Sequence, residues 1–292
     1  MKILVTGGSG FIGRHLLESL SKKNGVDNYD LLRGDDIKDS QKLCEYSKKK
    51  DAIVHLAAMI RVAECELKPK ETLEVNLIGT ANVLEAARKN DVRDIIFTSS
   101  AAVYGEPAQQ PIKEEESLTP ASIYAFSKFA AEDLCNLYAR RYSLNVTCFR
   151  VFNVYGPRQD SSSPYAAAIP IFIEKAMKGQ NIAIYGGGNQ TRDFIYVKDV
   201  VRAIENALDK KINKTINLAS GTETPVLDLA ETITNLINSK SGIVFEEPRA
   251  GDIQRSVADI TKLKEAGLAP KYNLKKGLEE TISWFRSNNN HF

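Results

Sequence analysis

The chain has 292 residues, 43% hydrophobic and 26% charged, with a formal net charge of +2. That length can bury a large core, either as one α/β domain or as a larger domain with a smaller partner. So small a net charge gives no sign of a nucleic-acid or membrane-surface partner, and neither is expected. The four cysteines (Cys44, Cys65, Cys135 and Cys148) form no Cys-x-x-Cys pair, and His15, His55 and His291 are too few and too scattered for a zinc spacing. Reduced thiols and no metal are therefore expected. No signal-peptide pattern opens the sequence and no apolar run reaches membrane-spanning length, so a cytoplasmic protein is expected.

Lys2–Thr6 reads as a short apolar strand, and Gly7-Gly8-Ser9-Gly10-Phe11-Ile12-Gly13 follows at once. Phe11–Ser21 then has helical periodicity. Gly7, Gly10 and Gly13 give one glycine register; Gly8, Gly10 and Gly13 give the other. Either brings backbone N–H groups and a helix N-terminus to a pyrophosphate, and strand–loop–helix is the context a dinucleotide site requires. A second strand fits Tyr29–Arg33. An acidic residue at the end of that strand binds ribose hydroxyls, whereas an arginine favours a 2′-phosphate. Arg33 points to NADP, and Asp35 and Asp36 point to NAD. NAD is the expected cofactor, with NADP open because of Arg33. The usual helix after this strand is not evident.

A third strand is read at Ala52–Leu56, a helix at Glu71–Lys89, a strand at Asp94–Thr98, a helix at Pro120–Tyr142 and a strand at Val146–Phe152. Such alternation predicts a Rossmann-type, doubly wound parallel sheet with helices on both faces. Beyond residue 153 the rhythm changes. Pro157, Pro164 and Pro170 cluster with Ser161-Ser162-Ser163, which predicts an exposed loop, with 159–165 expected to move. Shorter elements follow: a helix at Ile171–Lys178, a strand at Ile182–Tyr185, a turn at Gly186-Gly187-Gly188, and helices at Val197–Leu208, Leu227–Asn238 and Leu274–Phe285. A polar, frayed tail begins at Ser287. The expected organisation is a dinucleotide-binding domain over 1–152 and a smaller C-terminal α/β substrate lobe over 153–292, with a segment near 182–208 returning to the first domain.

Tyr124 and Lys128 lie four residues apart, on one helix face, 24 residues after Ser100. A free tyrosine, with a pKa near ~10, is a poor base at neutral pH. An ammonium one turn away favours the phenolate. Downstream of a dinucleotide loop, the pair reads as a base beside a nicotinamide.

Together these motifs resemble the extended short-chain dehydrogenase/reductase superfamily, in its NAD-dependent nucleotide-sugar epimerase/dehydratase branch, over nearly the whole sequence. Thr6-Gly-Gly-Ser-Gly-Phe-Ile-Gly13 resembles the cofactor loop, and His55-Leu-Ala-Ala58 the strand motif that follows it. Asn76-Leu-Ile-Gly-Thr80 resembles the start of the central helix. Ser99-Ser-Ala-Ala-Val-Tyr-Gly105 resembles the strand bearing the catalytic hydroxyl. Arg150-Val-Phe-Asn-Val-Tyr-Gly-Pro157 is similar to the segment entering the sugar-nucleotide lobe; Gly186-Gly-Gly-Asn-Gln-Thr-Arg-Asp-Phe194 and Arg249-Ala-Gly-Asp252 are similar to its diphosphate-binding segments.

The resemblance implies that Ser100 hydrogen-bonds the reacting hydroxyl, that Tyr124 is the base, and that Lys128 holds the nicotinamide ribose. It places Gly7, Gly10, Phe11, Ile12 and Gly13 at the cofactor diphosphate, with Arg33, Asp36 and Ile37 around the adenosine. Leu56, Ala57, Ala58, Asn76 and Ser99 would line the rest of the cofactor site. Asn153, Arg192 and Arg249 would grip the substrate diphosphate, and Asp252 its ribose. Arginine forks suit such oxygens.

Dehydratases of this branch carry an Asp-Glu pair after the catalytic hydroxyl, where this chain has Ala101 and Ala102. The resemblance therefore implies an NAD-dependent UDP-hexose 4-epimerase of the UDP-glucose/UDP-galactose type, working through a transient 4-keto sugar. Ser256 aligns with a gatekeeper position that is tyrosine in hexose-restricted members, so N-acetylhexosamine substrates also fit. A reductase or decarboxylase on the same scaffold stays open, as does a non-catalytic cofactor-binding regulator. A homodimer is implied through the helices near Asn76 and Tyr124, with Leu84, Leu134 and Leu137 as apolar positions.

Overall fold

The computed structural model describes residues 1–161, 166–248 and 253–288. The first strand, β1 (Lys2–Thr6), is buried from Ile3 onward. It leads through the glycine loop into α1 (Phe11–Leu20). β2 is Gly25–Tyr29, α2 is Ser40–Ser47 and β3 is Ala52–His55. Two short helices follow, α3 (Val62–Leu67) and α4 (Pro69–Leu73). A π-helical turn over Glu74–Ile78 runs straight into α5 (Gly79–Lys89). β4 (Asp94–Ser100), α6 (Ile123–Tyr142) and β5 (Asn145–Val151) complete this half.

The remaining elements are β6 (Asn153–Tyr155), α7 (Ala168–Met177), β7 (Ile182–Tyr185), β8 (Thr191–Tyr196), α8 (Val197–Lys210), β9 (Thr215–Leu218), β10 (Glu223–Pro225), α9 (Val226–Ile237), β11 (Ile243–Glu246), α10 (Thr261–Glu265) and α11 (Leu274–Asn288).

Six strands form one parallel sheet in the order β2-β1-β3-β4-β5-β9. Because successive side chains point to opposite faces, each strand feeds two cores. Ile3, Val5, Val54 and Ile96 join α1 and α8 in one. Leu4, Ile53, Ile95 and Phe97 join α2, α5 and α6 in the other. Strand order reverses between β1 and β3. A crevice therefore opens at the carboxyl ends of the strands, where α/β sheets bind their ligands.

A third core belongs to α7, α9 and α11. It lies with two small sheets, β10-β8-β6 and β11-β7. β9, just beyond the stretch near 182–208, joins the large sheet as its sixth strand. α8 packs against that sheet, whereas β7 pairs with β11.

Three further expectations are corrected. The second strand ends at Tyr29, not Arg33: Asp30 caps a 3₁₀ turn over Leu31–Arg33 by accepting the Leu32 N–H, 2.9 Å. The Asp-Leu-Leu-Arg-Gly run is turn chemistry, closed by Gly34 at φ 80°. A helix, α2, does follow this strand, capped by Asp39. At the far end, Ser287 and Asn288 continue α11 rather than fraying, and residues beyond them lie outside the described residues.

Candidate active site

The loop after β1 turns sharply. Gly7 has φ +73°, and a Cβ there would lie 2.6 Å from the Ala57 amide nitrogen. At Gly13 a Cβ would lie 2.4 Å from the Gly7 carbonyl. Side chains at either position would fill the cradle. The first intrahelical bond of α1 runs from Arg14 N to the Gly10 carbonyl, 3.0 Å. The N–H groups of Phe11, Ile12 and Gly13 consequently have no intrahelical partner and suit an anion.

Ser9 is fixed from two sides. Its N–H donates to Asp30 Oδ2 at 2.8 Å, and its Oγ accepts from Asn28 Nδ2 at 3.2 Å.

Beside this loop is a cavity of about 320 Å³, whose walls include Asp30, Asp36, Ile37, Ala57, Ala58 and Met59. Asp35, Glu64 and Glu71 also face it, as does Lys38; Lys42 pairs with Asp35, Lys38 with Asp36, and Lys68 with Glu64 and Glu71. Asp36 and Ile37, which the resemblance implied for the adenosine, both line this cavity. Arg33 is not among the lining residues; it is exposed on the 3₁₀ turn. The residue that follows β2 is Asp30, which the sequence reading missed because it placed the strand at Tyr29–Arg33 instead of Gly25–Tyr29. The signal was present: an aspartate ahead of Leu-Leu-Arg-Gly begins a turn.

Ser100 ends β4, and its Oγ accepts the Ala102 N–H at 3.2 Å. The Ser100 hydroxyl lies near enough to the Tyr124 phenol to favour its ionised form. Tyr124 lies in the first turn of α6, which Ser122 caps by accepting the Ala125 N–H at 3.0 Å. One turn on, Lys128 is buried with its Nζ 4.5 Å from the centre of the Phe97 ring.

Electrostatics here depart from the expectation. Burial raises the Tyr124 phenol above its ordinary value, and the group that lowers it is the Ser100 hydroxyl. Burial also lowers Lys128 to about 8, which weakens its hold on the proton rather than the phenol's. Desolvation of both groups wins over their spacing. Behind them His55 is pushed down to about 3 by burial and then by the Lys128 charge. Neutral, its ring bridges Thr6 Oγ1 (2.7 Å) and Thr80 Oγ1 (2.9 Å), tying the β1 end to α5.

Asn76 sits in the π-helical turn with its amide fully engaged. Oδ1 accepts the Met59 N–H at 2.8 Å, and Nδ2 donates to the Met59 carbonyl and to Ser127 Oγ, each at 2.9 Å. Ser127 in turn donates to the Tyr124 carbonyl, 2.7 Å. Asn76 therefore joins the β3 loop to the helix of Tyr124. Ser99 is buried, and its Oγ has no partner in the structure. With the cradle and the polar cavity, this orphaned hydroxyl fits a polar dinucleotide.

On the substrate side Asn153 and Arg192 occupy neighbouring strands, and Asn153 Nδ2 donates to the Asp193 carbonyl at 3.1 Å. Arg192 donates to the carbonyls of Thr191 (2.8 Å) and Ile253 (2.6 Å). Asp193 is buried and accepts from Ser220 N, Gly221 N and Ala258 N, so it locks this sheet to the segments beside it. Ser256 is buried at 8% exposure. Arg249 and Asp252 lie outside the described residues, as do residues 162–165 of the expected mobile loop. Among the described residues no cluster could hold a metal ion, and no helix is long and apolar enough to cross a membrane.

The model of the NAD dependent epimerase/dehydratase family matches residues 3–219. This chain belongs to that family. Its relatives resemble it over nearly all of this chain. The UDP-N-acetyl-alpha-D-glucosaminuronate decarboxylase of Bacillus cytotoxicus is 38% identical, over 98% of both chains. Two solved structures superpose with a TM-score of 0.95 at 35% identity. One is the UDP-N-acetylglucosamine 4-epimerase of Methanobrevibacter ruminantium in complex with UDP-N-acetylmuramic acid, covering 98% of each chain. The other is the UDP-glucose 4-epimerase of Thermotoga maritima with UDP-glucose, covering 99% of this chain and 100% of that one. The Rossmann-type sheet is that of the epimerase/dehydratase family.

Proposed function

We propose that this chain is an NAD-dependent 4-epimerase of UDP-hexoses, acting through a transient 4-keto sugar. The observation that carries the reading is the Ser100–Tyr124 hydroxyl pair, with Lys128 one turn behind it and alanines at 101 and 102. When bound, the nicotinamide accepts the C4 hydride and returns it. Tyr124 Oη takes the proton of the sugar 4-hydroxyl and later gives it back. Ser100 Oγ already accepts the Ala102 N–H, so its own proton is left to hydrogen-bond Tyr124 or the sugar oxygen. Lys128 would hold a ribose hydroxyl, which offers its buried ammonium an acceptor.

For the opposite face of C4 to be reached, the nucleotide must stay anchored while the ketone turns. Asn153 and Arg192, with Arg249 and Asp252, are proposed as that anchor. No acidic or basic side chain stands at 101 or 102 to drive an elimination. NAD is favoured over NADP because Asp30, on the cavity wall just after β2, would repel a 2′-phosphate.

The test is a panel of UDP-glucose, UDP-N-acetylglucosamine, UDP-xylose and UDP-glucuronate, each with NAD+ or NADP+. The expected products are C4-inverted hexoses with no net cofactor consumption. Tyr124→Phe should lose about 10²–10⁴-fold in turnover, the usual worth of a general base. Ser256→Tyr should remove activity on the N-acetylated sugar alone; equal loss on both hexoses defeats that part. The similarity to a decarboxylase supports a second reading, which a decarboxylated product from UDP-glucuronate would establish. Net NAD(P)H consumption would instead mark a reductase, and an inert protein a regulator.

A further inference from the structure

We infer that Glu66 is a positioning residue for Tyr124. Glu66 lies on α3, 57 residues before the helix it touches, and its Oε1 accepts the Ile123 N–H at 2.7 Å. Ile123 opens α6 and immediately precedes Tyr124. A reacting tyrosine so close to a helix end is exposed to fraying, because the first turn lacks the bonds that hold the interior. The two residues differ in this respect: Lys128 is buried one turn deeper, whereas Tyr124 depends on how the helix begins.

α3 is held on several sides. Cys65 is buried beneath it, and its thiol donates to the Met59 carbonyl at 3.8 Å. That carbonyl is also gripped by Asn76, whose amide reaches Ser127 on α6. At the start of α3, Arg61 pairs with Asp160 at 3.6 Å, on the segment that continues from Asn153. Two attachments one turn apart, Asn76 to Ser127 and Glu66 to Ile123, thus set the height and tilt of the Tyr124 turn. A displacement of about 1 Å at a reacting group can cost on the order of 10²-fold in rate.

The inference rests on the epimerase reading for its kinetic arm and not for its structural arm. Full-length wild type, Glu66→Ala and Glu66→Gln are compared by turnover of UDP-glucose and by hydrogen–deuterium exchange. Glu66→Ala is expected to lower kcat about 10-fold with KM within about 2-fold, and to speed exchange in the peptide spanning 123–127 but not in that spanning 135–139. Glu66→Gln keeps the acceptor oxygen and should restore both. Unchanged exchange at 123–127 in Glu66→Ala, unchanged kcat, or a Gln variant as impaired as the Ala variant overturns the inference. Should wild type turn over no UDP-sugar, the epimerase reading fails alone, and the exchange comparison still decides whether Glu66 holds the first turn.

Discussion

At the level of single residues, we propose that Asp30 decides between NAD and NADP. Its two carboxylate oxygens accept from Ser9 N and Leu32 N, so it is oriented before any ligand arrives. Each oxygen keeps a lone pair for a ribose hydroxyl. Asp30→Ala should weaken NAD+ binding about 10-fold or more, in line with hydrogen bonds to a charged group at about 1.5–3 kcal/mol. It should also narrow the preference over NADP+, because a repelling charge is removed. Titration of both cofactors by calorimetry checks this, and an unchanged ratio would return the choice to Arg33.

Asp30 also shows where the sequence is hard to read. The rule that an acidic residue follows the second strand was available; what failed was the placement of the strand, four residues too late at both ends. Leu31 and Leu32 extend the apolar run, yet they are 71% and 79% exposed. Hydrophobicity alone cannot separate a buried strand end from a solvent-facing turn. The placement of Tyr124 and Lys128 one turn apart on α6 was legible by spacing, but the direction of each group's shift is set by burial, which spacing does not reveal.

At the scale of elements, the helix that carries Tyr124 and Lys128 is fastened to the sheet by a buried ion pair. Glu132, one turn beyond Lys128, meets Arg150 of β5 at 2.6 Å, with both side chains almost wholly buried. Arg150 also donates to Tyr104 Oη (2.9 Å) and to the Glu114 carbonyl (2.8 Å), and Tyr104 Oη donates to Asn217 Oδ1 (2.6 Å). Removing one partner strands a buried charge, which costs about 3–5 kcal/mol. Glu132→Ala should therefore lower the urea midpoint by that equivalent. A change under 1 kcal/mol would mean that water or another carboxylate reaches Arg150. The long helices and central strands were legible because their apolar periods are strong. The π-helical turn, α3 and the short strands β6 and β10 were not. Each is fixed by distant partners, such as Asn76 with Met59 and β6 with β8, that no local pattern contains.

For the whole molecule, the remaining question is what covers the outer face of α6. Of the three leucines expected at a dimer face, Leu84 is buried in the core and Leu134 packs against it; Leu137 is 42% exposed. Phe126, 46% exposed, lies eleven residues before Leu137 and so on nearly the same helical stripe. Ile78 adds a further exposed apolar group from the π-helical turn, which packs against α6. We propose that a second copy covers this stripe, pairing the two helices of each subunit into a four-helix interface. The opposite side of α6 bears Lys128, Ala131 and Cys135, all buried, so the interface would brace the catalytic helix from behind. Wild type should then sediment at twice 32.3 kDa. Phe126→Glu combined with Leu137→Glu should sediment as a monomer with lower turnover, because α6 loses its outer support. A monomeric wild type at micromolar concentration, or a double variant that remains dimeric, would place the subunit contact elsewhere.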